Sequence, residues 1–426
     1  MTDSYFDWVR TLFDPARIHE KPEALRGIRV LDLSMLIFGP ATADFLGELG
    51  AEVIKVELPG RGDTTRILGP PAFFWKNVPV TLFGMNHSKY HVGIDMHRPE
   101  GQELIRRLAA RADVLIEGFA PGYLDSLGIG YRQLSELNPR LIYVACSTYG
   151  QFGPGAPAQP AEHDLLDQAL SGLLHITGDP AGPPMRVGSW IGAYAQAAWG
   201  CLALLGALHW REGLRGRADD RRLGRGRAHA LPRVHGAPLP HHGPGAPPHR
   251  AVRAGRLPVH LRPRQGRLRL HRGLHGCELP GVLPHHGRPG LAQDPRFDST
   301  LKRATMENEA ALLEEIERWS RNFTAEEILE QVLADPGPGV VVFGPVNPPS
   351  RTLAETHWWE RGCLRIVDDP LFGRLLLQMP VWRMTRTPPR LNWACRPAGY
   401  HNGHVYQKHF GLGPGRLAEL KAQGIL

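Results

Sequence analysis

The residues predict an α/β protein: a large domain built on a mostly parallel, Rossmann-like sheet, joined by a smaller second domain. Two observations carry this. Short β-rich runs alternate with helical patterns over residues 1–213, and the stretch from Gly27 to Asp63 packs strand, helix and strand into a βαβ opening. Ile28, Val30 and Leu31 form the first strand. Pro40 sits where a first helical turn tolerates it, Ala41, Phe45, Leu46 and Leu49 recur at helical spacing, Gly50 stops the helix, and Val53, Ile54 and Val56 make the second strand.

The turn after Asp32 holds a single glycine, Gly39, and lacks the G-x-G-x-x-G that lets a backbone approach a dinucleotide pyrophosphate. This excludes a nicotinamide-dependent dehydrogenase. Further strands follow at Val92 to Ile94, Val114 to Ile116 and Leu141 to Val144, with a helix from Pro99 that aligns Leu104, Ile105, Leu108 and Ala112 on one face. Trp190 to Leu208 carries Gln196 as its one strongly polar side chain. It is read as a buried helix rather than a membrane span. A second domain is expected over 214–330, where Leu312, Leu313, Ile316 and Trp319 share a helical face. There Thr324 and Glu327 form a capping box ahead of Ile328, Leu329, Val332 and Leu333. Residues 331–426 follow, with a strand at Val340 to Phe343.

Five cysteines, at 146, 201, 277, 363 and 395, form no C-x-x-C pair and leave an odd one, which suits a reducing cytoplasm. The charged start, MTDSYFDWVRTLFDPAR, lacks the apolar core of an export signal. The formal charge of +8 comes from one segment, Arg221 to Gly290, with 14 Arg, no Lys and one acid, Glu278; the rest of the chain is net acidic. That origin, and the absence of aromatic residues from the segment, argue against a nucleic-acid partner.

Several stretches together resemble the family III CoA-transferases, the group of formyl-CoA transferase, carnitine CoA-transferase and α-methylacyl-CoA racemase. They are the opening unit, Asn86-His87-Ser88-Lys89, Asp113 to Gly122 (DVLIEGFAPG), Asn138 to Tyr143 (NPRLIY), Gly150 to Pro154 (GQFGP), and the tail with Leu412, Leu417, Leu420 and Gly424-Ile425-Leu426. The resemblance spans about 25–213 and 287–426. It implies an interlocked dimer or a heteromer with a related subunit, a return of 331–426 to the large domain, and acyl-CoA and a carboxylic acid as substrates. No permanently bound cofactor, no metal and no membrane partner are expected.

Family-like sequence stops near Gly216 and resumes near Gly287. The intervening Arg221 to Gly290 also holds 10 His, 11 Pro and 12 Gly without Ser, Thr, Asn, Asp, Ile, Met, Phe, Tyr or Trp. We read it as a GC-rich coding region translated out of frame between two compensating shifts, and expect it to be irregular. His271, His275, Cys277, His285 and His286 within it fit no standard zinc spacing, and His401, His404 and His409 have no cysteine or carboxylate at ligand spacing.

By the resemblance, an aspartate attacks the acyl-CoA thioester, and acyl group and CoA exchange through enzyme-bound anhydride and thioester intermediates. Its position falls on Ala193, and no acid occurs from Pro180 to Arg211. His163 and Asp164 resemble the Gly-His-Asp of the racemase branch, where the histidine moves the proton α to the thioester. Asp164 or Asp167 could supply a displaced carboxylate. The same resemblance assigns Ile94, Phe119 and Leu127 to the walls of the CoA site, with Asp95 and Gly118 nearby and Leu36 and Ile37 at the thioester end. Lys55, Arg61, Lys89 and Arg98 are candidate phosphate partners. Three function classes stay open: a CoA-transferase, an acyl-CoA racemase using His163, and a CoA-binding partner subunit without its own nucleophile.

Overall fold

The computed structural model describes residues 4–68, 74–156, 163–178, 182–213, 259–261, 268–270, 289–303, 305–334 and 343–426. Two units divide the chain: residues 1–171, 188–238 and 357–426 form one, and residues 172–187 and 239–356 the other.

The first unit is organised by five strands: β1 Arg29–Asp32, β2 Glu52–Glu57, β3 Lys89–Gly93, β4 Val114–Glu117 and β5 Ile142–Ala145. All pair in parallel in the order β3-β2-β1-β4-β5, with Val30 opposite Val53 on one side and Val114 on the other. Helices cover both faces, which is why these strands read as nearly continuous apolar runs. One layer joins Leu31, Ile54, Val92 and Ile94 to Leu104, Ile105 and Leu108 of the helix Pro99–Ala109. The C-terminal residues Val405, Tyr406, Leu420 and Ile425 complete it, and Asp95 N–H donates to the Ile425 carbonyl at 2.8 Å. The other layer packs Val30, Val53 and Val114 against the opening helix Phe38–Glu48 and the long helix Ile191–Gly213.

Gly39 serves this packing. A Cβ there would collide with the Ser34 side chain, so the glycine lets the opening helix lie against the turn that follows β1. The long helix is long and apolar enough to cross a membrane by length and composition. One face, Ala193, Ala197, Cys201, Leu204 and Leu208, is buried in the core, while Trp199 and Leu202 on the opposite face stay exposed.

The second unit contains the helices Met306–Ser320 and Ala325–Ala334. Leu312, Ile316 and Trp319 are buried as their spacing predicts. The capping box forms: Thr324 N–H donates to Glu327 Oε2 at 2.7 Å, and Glu327 N–H to Thr324 Oγ1 at 3.2 Å. A small antiparallel sheet joins Val259–Leu261, Leu268–Leu270 and Phe343–Pro345. The first two strands lie inside the segment expected to be irregular, and this corrects that expectation for six residues. Strand pairing draws on backbone donors and acceptors that any non-proline residue supplies, and the partner strand comes from outside the anomalous composition. The remainder of 221–288, with the histidines and Cys277 singled out above, lies outside the described residues, as do 340–342 of the predicted strand.

Candidate functional site

In an open parallel sheet, ligands bind beyond the carboxyl ends of the strands where the strand order reverses. Here the order reverses at β1 and β4, and a cleft of about 350 Å³ opens at that edge. Leu33 and Met35 enter it from the turn after β1, Leu58 and Arg61 from beyond β2, Met96 and His97 from beyond β3, and Phe119 and Tyr123 from beyond β4. The Phe119 and Tyr123 rings stack with centroids 5.3 Å apart. At the rim, His97 Nδ1 lies 2.8 Å from Asp95 Oδ1 and its Nε2 3.0 Å from the Tyr123 hydroxyl.

Phe119 is the predicted wall residue that the cleft contains. Ile94 is fully buried in the layer beneath and does not line this cleft, and Leu127 packs on that same layer, since a sheet covered on both faces turns apolar side chains inward on either side. Asp95 holds the His97 loop, and Gly118 precedes the wall. Leu36 and Ile37 point the other way, into the layer that contains Ala193. Leu36 adopts a left-handed backbone (φ 64°), and its N–H donates to Asp63 Oδ1 at 3.2 Å. One turn therefore bridges the cleft, through Met35 and Asp63, and the core around the long helix.

Two predicted phosphate partners are overturned. Lys55 and Lys89 are completely buried: Lys55 Nζ lies 2.9 Å from Asp63 Oδ2, and Lys89 Nζ donates to Asp32 Oδ2 and Asn86 Oδ1, each at 3.0 Å. Burial alone would push Asp32 up, but Lys55 and Lys89 together hold its carboxyl below the usual range. Arg61 does line the cleft, and Arg98 is exposed beside Asp95.

Sequence reasoning missed Glu117, which closes β4 immediately before the Phe119 wall. Its Oε2 accepts the Phe119 N–H at 2.7 Å, and burial pushes its carboxyl up to about 8 against that hydrogen bond and one with Tyr143. It also missed a buried triad in which His87 Nδ1 lies 3.0 Å from Asp44 Oδ2 and Nε2 3.2 Å from Glu48 Oε1. The three groups have metal-ligand spacing. Both ring nitrogens face a carboxylate, however, and burial, which alone would lower His87, is outweighed by Asp44 and Glu48. This is the geometry of an imidazolium clamped between two acids.

The predicted catalytic residues do converge. The helix Asp164–Leu170 packs on the start of the long helix, with His163, exposed, as its N-terminal flanking residue. His163 N–H donates to Thr148 Oγ1 at 3.3 Å. Asp164 Oδ1 accepts the Ala193 N–H at 3.0 Å and Oδ2 accepts from Gln168 Nε2 at 2.7 Å. Asp164 thereby caps the long helix from outside, satisfying a first-turn donor that would otherwise be orphaned. The corner thus brings His163, Asp164, Asp167 and the position of Ala193 together. Of the histidines near the C-terminus, His401 Nδ1 accepts from His91 N–H at 3.0 Å, His404 stacks on Tyr90, and His409 Nε2 lies 3.2 Å from Glu52.

Comparison with known proteins agrees with this architecture. The model of CoA-transferase family III matches residues 25–231 and 275–402. A succinyl-CoA–D-citramalate CoA-transferase of Chloroflexus aurantiacus is 30% identical over 95% of this chain and 98% of its own length. The beta subunit of a succinyl-CoA–L-malate CoA-transferase from the same organism is 27% identical over 94% of this chain and 98% of its own. Among solved structures, a CAIB/BAIF family protein from Brucella suis superposes with a TM-score of 0.67 at 25% identity, covering 91% of this chain and all of that one. The chain belongs to CoA-transferase family III.

Proposed function

We propose that this chain exchanges CoA between a short dicarboxylic acid thioester, of which succinyl-CoA is the model, and a second small carboxylic acid. The observation that carries the reading is the cleft at the strand-order reversal, with aromatic and aliphatic walls and Arg61 among its lining residues. CoA presents a flat adenine, a polar phosphate stretch and an extended thiol arm. Phe119 and Tyr123 offer a stacking surface for the first, Arg61 offers donors for the second, and Leu33 and Met35 offer an apolar path for the third. The dicarboxylate class is taken from the names of the two Chloroflexus proteins, both of which use succinyl-CoA.

The exposed stripe of Ile191, Trp199, Leu202 and Trp210 on the long helix fits burial by a second subunit, a copy of this chain or a related one. A reducing compartment such as the cytoplasm fits the free thiols of Cys146, Cys201, Cys363 and Cys395. In titration calorimetry the full chain should bind CoA at micromolar to submillimolar concentration, and isotope should pass from labelled succinate into succinyl-CoA. A well-folded chain giving no heat with CoA at millimolar concentration would sink the reading.

The methyl group of Ala193 favours a second reading, in which the chain binds CoA for a neighbouring subunit that carries the nucleophile. Under that reading the isolated chain is silent in exchange and Ala193→Asp gains it; exchange by the unaltered chain rules the second reading out.

A further inference from the structure

The two acids of the helix Asp164–Leu170 are in different states. Both face the first turn of the long helix: a Cβ added at Gly192 would stand 3.0 Å from Asp167 Cβ and 3.1 Å from Asp164 Oδ1. A side chain at that position would crowd both acids, so glycine eases the close approach of the two helices. Asp164 has a donor on each oxygen, the Ala193 N–H and the Gln168 amide, so its position is fixed and its lone pairs are engaged. Asp167 is buried beside it, at 6% exposure, and its Oδ2 has no hydrogen-bond partner among the described residues.

The side chain that faces Asp167 is equally unusual. Gln196 follows Ala193 by three residues on the inward face of the long helix, is 1% exposed, and reaches good hydrogen-bond geometry at neither end of its amide among the described residues. A fold does not ordinarily leave a carboxylate oxygen and a whole amide unpaired at one buried point, since each such group costs about 1–3 kcal/mol. An arriving polar ligand relieves all three atoms at once. His163 and Thr148 also border Asp167, and burial raises its carboxyl against weak hydrogen bonds from Thr148 and Gln196, which leave Asp167 Oδ2 and both ends of the Gln196 amide short of a well-formed partner.

We propose that Asp167 is the catalytic carboxylate of this chain, taking the acyl group in place of the residue missing at position 193, with the Gln196 amide donating to the thioester oxygen as it becomes an oxyanion. The inference rests on the CoA-transfer reading. An Asp167 oxygen attacks the thioester carbonyl carbon, the C–S bond breaks and CoA leaves as thiolate, giving a mixed anhydride. The thiolate then attacks the Asp167 carbonyl carbon and releases the donor acid as carboxylate, leaving CoA as a thioester on Asp167. The acceptor carboxylate attacks that thioester carbonyl, thiolate leaves again, and its attack on the acceptor's carbonyl carbon forms the new acyl-CoA and frees Asp167. No electrons or net protons are exchanged, so no further reagent is required.

The test uses the full chain incubated with succinyl-CoA and then hydroxylamine, followed by peptide mass mapping, with CoA titrated calorimetrically in parallel. The expected result is a hydroxamate on Asp167. Its yield should fall on the order of a hundredfold in Asp167→Asn, with CoA affinity unchanged. Gln196→Leu should lower the exchange rate without altering the site of labelling. A hydroxamate on Asp164, or none in a chain that binds CoA, overturns the assignment while sparing the cleft. Absence of CoA binding removes the reading beneath it as well. Mapping is done on the unaltered chain, so a folding defect in a variant does not decide the outcome.

Discussion

The cleft at the sheet edge and the corner at the start of the long helix lie in the same unit and rest on different physics. Side chains from four separate strand ends make the cleft, so its shape follows from the sheet order and tolerates change at any one wall position. The corner depends on a few atoms: two carboxylates, one amide and the backbone N–H of Ala193. Under the proposed reading, binding in this chain is a property of architecture, while chemistry is a property of single side chains that can move to a neighbour while the fold is kept.

If that separation holds, damage beneath the cleft should be felt as instability before it is felt as lost affinity. Lys89 is completely buried, with donors to Asp32, Asn86 and the Pro40 carbonyl. Replacing it with Met strips Asp32 of one of its two cations, at a cost of about 3–5 kcal/mol. Urea denaturation should show a midpoint shift of that size. A variant as stable as the parent would mean that the network does not hold the sheet edge.

The wall of the cleft carries the next largest effect, through Glu117. Its folded-state carboxyl titrates near 8, above the ordinary value of 4.5. The folded chain thus binds this proton more tightly than the unfolded chain. The associated stability is fully present below about pH 4.5 and is lost as pH rises toward 8. Glu117→Gln, neutral throughout, should flatten that loss by about 2–4 kcal/mol between those limits. Denaturation midpoints measured at pH 5 and pH 8 decide it: parallel pH profiles for parent and variant would show that Glu117 is ionised in the fold.

At the corner, Asp164→Ala removes the acceptor for the Ala193 N–H and the partner of Gln168. We expect about 1–2 kcal/mol of destabilisation, the cost of a lost helix cap, together with a loss of CoA exchange as Asp167 loses its support. Calorimetric affinity for CoA should not move. Coupled loss of affinity would break the proposed independence of corner and cleft.

Much of the fold is legible in the sequence because its signals are local. The βαβ opening, the face of Leu312, Ile316 and Trp319, and the Thr324–Glu327 box each depend on spacings of a few residues, and each is found in the structure. The miscast residues depend on distant partners. Lys55 and Lys89 read as surface cations because Asp63 and Asp32 lie elsewhere in the chain; only the sheet brings them together. Ile94 enters the walls through the resemblance alone, and a sheet covered on both sides leaves it fully buried. At the corner, His163, Asp164 and Asp167 were visible as residue types, while the capping of Ala193 by Asp164 and the unpaired amide of Gln196 exist only once two helices meet.

Phe119→Ala should give the smallest effect and the cleanest one. The ring is partly buried, stacks on Tyr123 and faces the cleft, while its backbone N–H is held by Glu117 whatever its side chain. Truncation therefore removes stacking surface without releasing the loop. A lost aromatic stack is worth about 1–3 kcal/mol on a base, so CoA should bind about 5- to 150-fold more weakly. The fold, by thermal melting, should be nearly unaltered, and a hydroxamate should still form on Asp167 once CoA thioester is raised to saturation. Adenosine diphosphate should lose as much affinity as CoA if the ring meets the adenine; a loss confined to CoA would place Phe119 against the thiol arm and reverse the direction in which the ligand lies along the sheet edge.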